Sequence, residues 1–144
     1  MISIWDATYV YIEKSSNYQF QRSTYSLHKY RNLVKFMMLV ATDGYIIDAI
    51  GPYLANGKNN DANITIDMFE KSSEIQNWFE KDDIFVVDRG FRDCSSYLKK
   101  KKFKIAAPVF YNKKKQHSTK EANESRLVTM IRWVVESVNG RVKR

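Results

Sequence analysis

The chain is expected to fold as an α/β domain with a mixed five-stranded sheet flanked by helices. Three observations point there. An unbroken apolar run, Ile84, Phe85, Val86 and Val87, leads straight into Asp88, as in a strand buried on both faces. Two strand-like stretches flank Asp43-Gly44, a two-residue hairpin signal. From Ala62 onward helix-like and strand-like stretches alternate, the pattern of βαβ units packed on a sheet.

In chain order, residues 2–12 are dense in β-branched and aromatic side chains on both alternating faces, so they read as a second buried strand. Ile4, Asp6, Thr8 and Val10 share one face; Trp5, Ala7, Tyr9 and Tyr11 share the other. Residues 15–32 are polar, basic and rich in tyrosine, and read as a loop or a twisted edge. Residues 34–42 and 45–53 form the hairpin, which Pro52 and the polar cluster at 56–61 bring to an end. Asn60 or Asp61 caps a helix over 62–80, with a break near Ser72-Ser73. A short helix over 95–101, a strand over 103–110, a lysine-rich loop and a long helix from about Thr119 complete the chain. In that helix Leu127, Ile131, Val134, Val138 and Val142 form an apolar stripe for the sheet, while Ser125, Thr129, Arg132, Glu136, Gly140 and Lys143 form a polar one.

Composition narrows the function classes. A net charge of +8, with lysine clusters at 99–102 and 113–115, suits a polyanionic partner. One cysteine, Cys94, excludes an internal disulfide and fits a reducing compartment. With His28 and His117 the only histidines, a zinc site of Cys and His is disfavoured. No apolar run reaches membrane-spanning length and the amino terminus lacks a signal-peptide pattern. A soluble intracellular protein without a membrane partner is expected.

Two carboxylates stand out. Asp6 lies within a core-like strand and Asp88 ends another, and unpaired buried charge is costly. A hairpin meander followed by βαβ units is the layout of a ribonuclease H-like domain, whose first strand lies centrally and parallel to the fourth. Asp6 and Asp88 would then face each other across neighbouring strands. Glu136, flanked by Trp133 and Val135 on the last helix, is expected at the edge of the core rather than in open water, placed to join them. Three carboxylates with no histidine or cysteine suit hard cations such as Mg²⁺. Plain structural roles compete: Asp88 as a turn cap, Asp6 paired with Arg132, and Glu136 in an i,i+4 pair with Arg132 worth about 0.3–0.5 kcal/mol. Asp61 reads first as a helix cap and second as an auxiliary metal ligand. Asp83, Asp93 and Glu124 are expected in solvent, His28 and His117 on the surface, and Cys94 in the core.

At this point the chain resembles a known family, the DDE endonuclease domain of Harbinger/PIF-type transposases and nucleases derived from them. The resemblance rests on Asp6-Ala7-Thr8, Thr24-Tyr25-Ser26 with Lys29, Thr42-Asp43-Gly44, and the stretch from Gly57 to Asp61. It continues through Asp88-Arg89-Gly90-Phe91 to Arg132-x-x-Val135-Glu136 with Asn139-Gly140-Arg141 and Lys143. Glycine more usually follows the first aspartate, where this chain has Ala7. The resemblance implies Asp6, Asp88 and Glu136 as catalytic, metal-binding residues, with Asp61 as a further ligand and Mg²⁺ or Mn²⁺ as cofactor. It implies DNA as substrate, contacted by Lys29, Arg31, Arg89, Arg132 and Lys143, a nuclear location, and a separate DNA-binding partner protein. It also implies that the 144 residues are one endonuclease domain, truncated before its amino-terminal helix-turn-helix region. The expected activity is two-metal DNA cleavage and strand transfer. The competing expectations are an inactive transposase-derived binding module, or another metal-dependent phosphohydrolase.

Overall fold

The computed structural model describes residues 1–108 and 118–143. Strand β1 (Ile2–Tyr11) is central, as its two-sided apolar pattern required. It pairs antiparallel with β3 (Arg31–Ala41), from Ser3 with Ala41 to Tyr11 with Leu33. On its other edge it pairs parallel with β5 (Ile84–Val86), through Ile2 with Ile84 and Ile4 with Val86. β5 in turn pairs parallel with β6 (Lys104–Ala106), and β3 pairs antiparallel with β4 (Ile46–Leu54). A two-residue strand, β2 (Tyr25–Ser26), joins the start of β3 and makes the sheet six-stranded rather than five-stranded. This mixed sheet with helices on its faces is the expected ribonuclease H-like arrangement. Its antiparallel first pairing is incompatible with a doubly wound parallel fold.

The hairpin forms where Asp43-Gly44 predicted it. Gly44 takes φ +91°, open to glycine at little cost, and the Gly44 N–H donates to Ala41 O at 3.0 Å. The helix over 62–80 divides at its serines into α2 (Asp61–Lys71) and α3 (Ser73–Trp78), because Ser72 ends one and its hydroxyl accepts from Ile75 N–H to start the next. A 3-10 turn, Arg89–Cys94, precedes α4 (Ser95–Lys100). The last helix, α5 (Thr119–Val142), opens with a capping box between Ser118 and Glu121. No helix among the described residues is long and apolar enough to cross a membrane.

The two sheet faces carry separate cores. On one, Trp5, Met37, Leu39 and Phe85 meet Ile64, Phe69 and Phe79 from α2 and the segment after α3, together with Leu98 of α4 and Phe103. Trp5 stacks on Phe69 with ring centroids 5.6 Å apart and meets Phe85 in a tilted contact at 4.5 Å, and its indole N–H donates to Ser3 Oγ. On the other face Ile4, Met38, Val40 and Val86 take Val135 and Val138 of α5. Single-residue alternation along β1 thus feeds two cores.

Five local expectations are corrected. Residues 15–32 are not a loop throughout: α1 (Tyr18–Thr24) forms because Asn17 Oδ1 caps Phe20 N–H. On α5 the sheet-facing stripe is Val128, Ile131, Val134, Val135 and Val138, so Ile131, Val134 and Val138 face the sheet as expected; Leu127 and Val142 are instead exposed, at 58% and 47%. Among the described residues the strand expected over 103–110 is β6 alone; positions 109 and 110 lie outside the described residues, as do His117 and the lysines at 113–115. Asp83 is buried, not solvated. It accepts from Glu80 N–H and pairs with the Met1 ammonium, which holds its carboxyl below the ordinary range against the cost of burial. Asp61 does not cap α2; Asn60 does, its Oδ1 accepting from Asn63 N–H at 2.9 Å.

Removing the Trp5 indole leaves a large void among Phe69, Phe79 and Phe85. Trp5→Ala should cost about 3–5 kcal/mol in denaturant unfolding, against less than about 0.5 kcal/mol for Trp133→Ala, whose side chain is 65% exposed. Equal losses would contradict this assignment of the core.

Candidate metal centre

Pairing of β1 with β5 ends at Ile4 and Val86. Two residues further along each strand lie Asp6 and Asp88, so the parallel register brings both aspartates to one level at the rim where β5 stops. Asp88 fills the structural role its position suggested, accepting from Gly90 N–H at 2.7 Å through Oδ1 to start the 3-10 turn. Its other oxygen lies 3.6 Å from Arg132 Nη2. Capping and clustering are therefore compatible.

Asp61 arrives from the opposite direction, on the first turn of α2. Because Asn60 already caps that helix, the Asp61 carboxylate is available to the rim. One oxygen from each of Asp6, Asp61 and Asp88 lies within 4.8 Å of the other two. Gly90 makes this approach feasible: a Cβ there would sit 2.9 Å from Asp61 Oδ2 and 3.0 Å from Asp88 Oδ1. The Asp88-Arg-Gly90 spacing thus combines a carboxylate with the clearance it needs.

Glu136 stands outside this trio. Its side chain is 53% exposed rather than set at the edge of the core, because the flanking Trp133 is itself exposed, and its Oε1 lies 3.6 Å from the same Arg132 Nη2 that faces Asp88 and, at 4.0 Å, Asp6 Oδ1. Arg132 is only 14% exposed, so one guanidinium serves three carboxylates at a buried rim. Asn139, one turn beyond Val135 on α5, donates from Nδ2 to Asp6 Oδ2 at 3.2 Å.

The cluster is electrostatically incomplete. Burial pushes the Asp6 carboxyl up to about 7; Asp88, Asp61 and Glu136 add to the rise, and Arg132 offsets part of it. Burial also raises Asp61, again assisted by Asp88 and opposed by Lys35 and Arg132. Arg132 Nε and Asn139 Oδ1 are buried without a hydrogen-bond partner among the described residues. Crowded carboxylate oxygens, carboxyls driven toward protonation and a deficit of positive charge are what a hard divalent cation would relieve. The donor set is all oxygen and fits Mg²⁺ or Mn²⁺.

The residues expected to contact phosphate divide into two groups. Arg89 lines a cleft of about 290 Å³ with Asp88, Pro108, Thr129 and Arg132, directly beside the carboxylates. Arg132 is engaged by those carboxylates. Lys29, Arg31 and Lys143 gather further along β1: Lys143 Nζ lies 3.9 Å from the Tyr9 ring centre, Lys29 Nζ 5.2 Å from it, and the Arg31 guanidinium 3.9 Å from that of Tyr11. His28 is exposed and Cys94 is buried in the core, as expected. In the sequence Asp61 looks like a helix cap because an acidic residue at a helix start has an ordinary explanation. The available signal was Asn60, which makes a second cap redundant.

No curated protein matches the chain, and no solved structure does. A family model described as DDE superfamily endonuclease matches residues 5–144. That span includes all four carboxylates at or beside the rim, and the chain belongs to the DDE superfamily endonuclease family.

Proposed function

We propose that this domain is a divalent-metal-dependent DNA endonuclease of the Harbinger/PIF type, cleaving DNA and transferring strands. The observation that carries this is the convergence of Asp6, Asp61 and Asp88 at the end of β5. Three carboxylates crowded at a half-buried rim cost stability that Arg132 offsets only in part, which favours an enzyme over an inactive binding module.

In this reading Asp6, Asp61 and Asp88 hold the cation. Glu136, on the far side of Arg132, completes the site for a second ion. Mg²⁺ or Mn²⁺ bound there would acidify a water, or a DNA 3′-hydroxyl, and offset charge on the scissile phosphate. Asn139 orients Asp6 through Oδ2. Arg132 keeps the carboxylates together without metal and lies close enough to stabilise phosphate charge. Arg89, at the cleft beside Asp88, is placed for a forked phosphate contact. Targeting falls to a separate DNA-binding partner, and the place of action is the nucleus.

Titrating Mg²⁺ or Mn²⁺ should raise the melting temperature, by about 2.7 kcal/mol of stability at a hundredfold excess over Kd. Asp61→Asn and Asp88→Asn should each remove both this response and metal-dependent DNA cleavage. An unchanged melting curve in wild type, or cleavage that survives Asp88→Asn, would reject the reading.

The metal-free protein should lose stability as pH rises. The Asp6 carboxyl is raised from 3.8 to about 7 in the fold. Between those values it ionises when unfolded but holds its proton when folded, so the folded state binds more protons and stability falls with pH. The decline should begin near pH 4 and level off above pH 7, and Arg132→Gln should carry it to higher pH. Saturating Mg²⁺ should remove the decline, since cation and proton compete for the same oxygens. Chemical denaturation at several pH values measures this, and metal-free stability that rises from pH 4 to 7 would contradict it.

A further inference from the structure

Beyond Ile4, β1 has β3 on one edge and, among the described residues, no strand on the edge that β5 covered earlier. That edge leaves the carboxylate rim and runs past Tyr9 and Tyr11 to Ile12, about 20 Å at roughly 3.3 Å per residue. Positive charge gathers over the tyrosines of this part of β1. Lys29 and Lys143 both lie over the Tyr9 ring, and Arg31 over Tyr11. The Tyr9 phenol is drawn below its ordinary range by its hydrogen bond with Tyr11 and by the charges of Lys143 and Lys29.

The track ends in a groove of about 970 Å³ between the end of β1 and the α1–β2 segment. Lys14, Arg22 and Arg31 line it together with Tyr18, Tyr25 and Tyr30, and no carboxylate does. Tyr18 is 71% exposed and Tyr30 78%. Tyr30 holds φ +56°, a left-handed conformation uncommon for an aromatic residue, with its ring in solvent. Tyr30 lies in the turn between β2 and β3, where its N–H donates to Ser26 O at 2.8 Å. Rigid aromatic faces interleaved with cations, in an open concavity, match one chemistry well: a single nucleic-acid strand with bases stacked on tyrosine and phosphates on Lys and Arg. A duplex keeps its base faces hidden and could use only the cations.

We infer that the Tyr18–Tyr25–Tyr30 groove binds an unpaired DNA strand whose continuation follows the β1 edge to the carboxylate rim. The substrate class is DNA with a single-stranded segment a few nucleotides from the reacting phosphate. The identity of the strand rests on the nuclease reading, whereas binding in the groove does not require the metal centre.

The test is fluorescence anisotropy in EDTA, with a labelled oligothymidine of about twelve nucleotides and a blunt duplex of the same length. The single strand should bind more tightly than the duplex. The double variant Tyr18→Ala with Tyr30→Asn should lose at least about tenfold in single-strand affinity, with duplex affinity and melting temperature unchanged. Asn suits the left-handed backbone at that position. Lys14→Gln should reduce the slope of log affinity against log salt by about 0.7. Equal affinity for strand and duplex would overturn the inference. So would an unaffected double variant, or displacement of the oligonucleotide by polyglutamate as readily as by unlabelled strand. Strand binding without cleavage in Mg²⁺ would sink the nuclease reading and leave the groove standing; cleavage without strand preference would do the reverse.

Discussion

The parallel contact of Ile4 with Val86 is the constraint on which the site depends. It sets the register of two strands far apart in the chain, and register decides which side chains meet. A slip of one residue would carry Asp6 to the Trp5 face, into the aromatic core, and take Ile4 away from Val135 and Val138. Apolar packing on both faces therefore locks the placement of a carboxylate that no packing term would favour. The stability of the two cores offsets the repulsion gathered at the rim.

That repulsion also explains the position of Arg132. It approaches Asp6, Asp88 and Glu136 within 3.6–4.0 Å, yet with only Lys35 to assist it at Asp61 it does not balance the carboxylates of the half-buried rim. Burial leaves Asp6 with a carboxyl near 7 in spite of it. Asn139 and Gly90 are fitted to the same need, one orienting Asp6 and the other clearing space between Asp61 and Asp88. α5 thus contributes Val135 and Val138 to the core and Arg132, Glu136 and Asn139 to the rim from adjoining stripes of one helix.

Much of this was legible in the letters. The run from Ile84 to Val87 announced a buried strand, and Asp43-Gly44 a hairpin. Asp6 and Asp88 were conspicuous because charge seldom interrupts such patterns without a partner. Asp61 was obscured because cap and ligand look alike at a helix start; only the capping geometry of Asn60 separates them. Helical periodicity placed Glu136 beside Arg132, but it could not say how far along the helix axis the rim would fall. Leu127 and Val142 were assigned to the sheet for the same reason: periodicity locates a face, not the extent of the surface it meets. α1 was hidden by polar composition, since its stability rests on a local cap more than on an apolar stripe.

The most direct measurement of the central claim is a crystal structure of the protein soaked in Mn²⁺, with the metal located by its anomalous signal. The expected result is a peak about 2.1 Å from oxygens of Asp6, Asp61 and Asp88. Strong anomalous density elsewhere on the surface, with the three aspartates left in contact only with Arg132 and water, would contradict it.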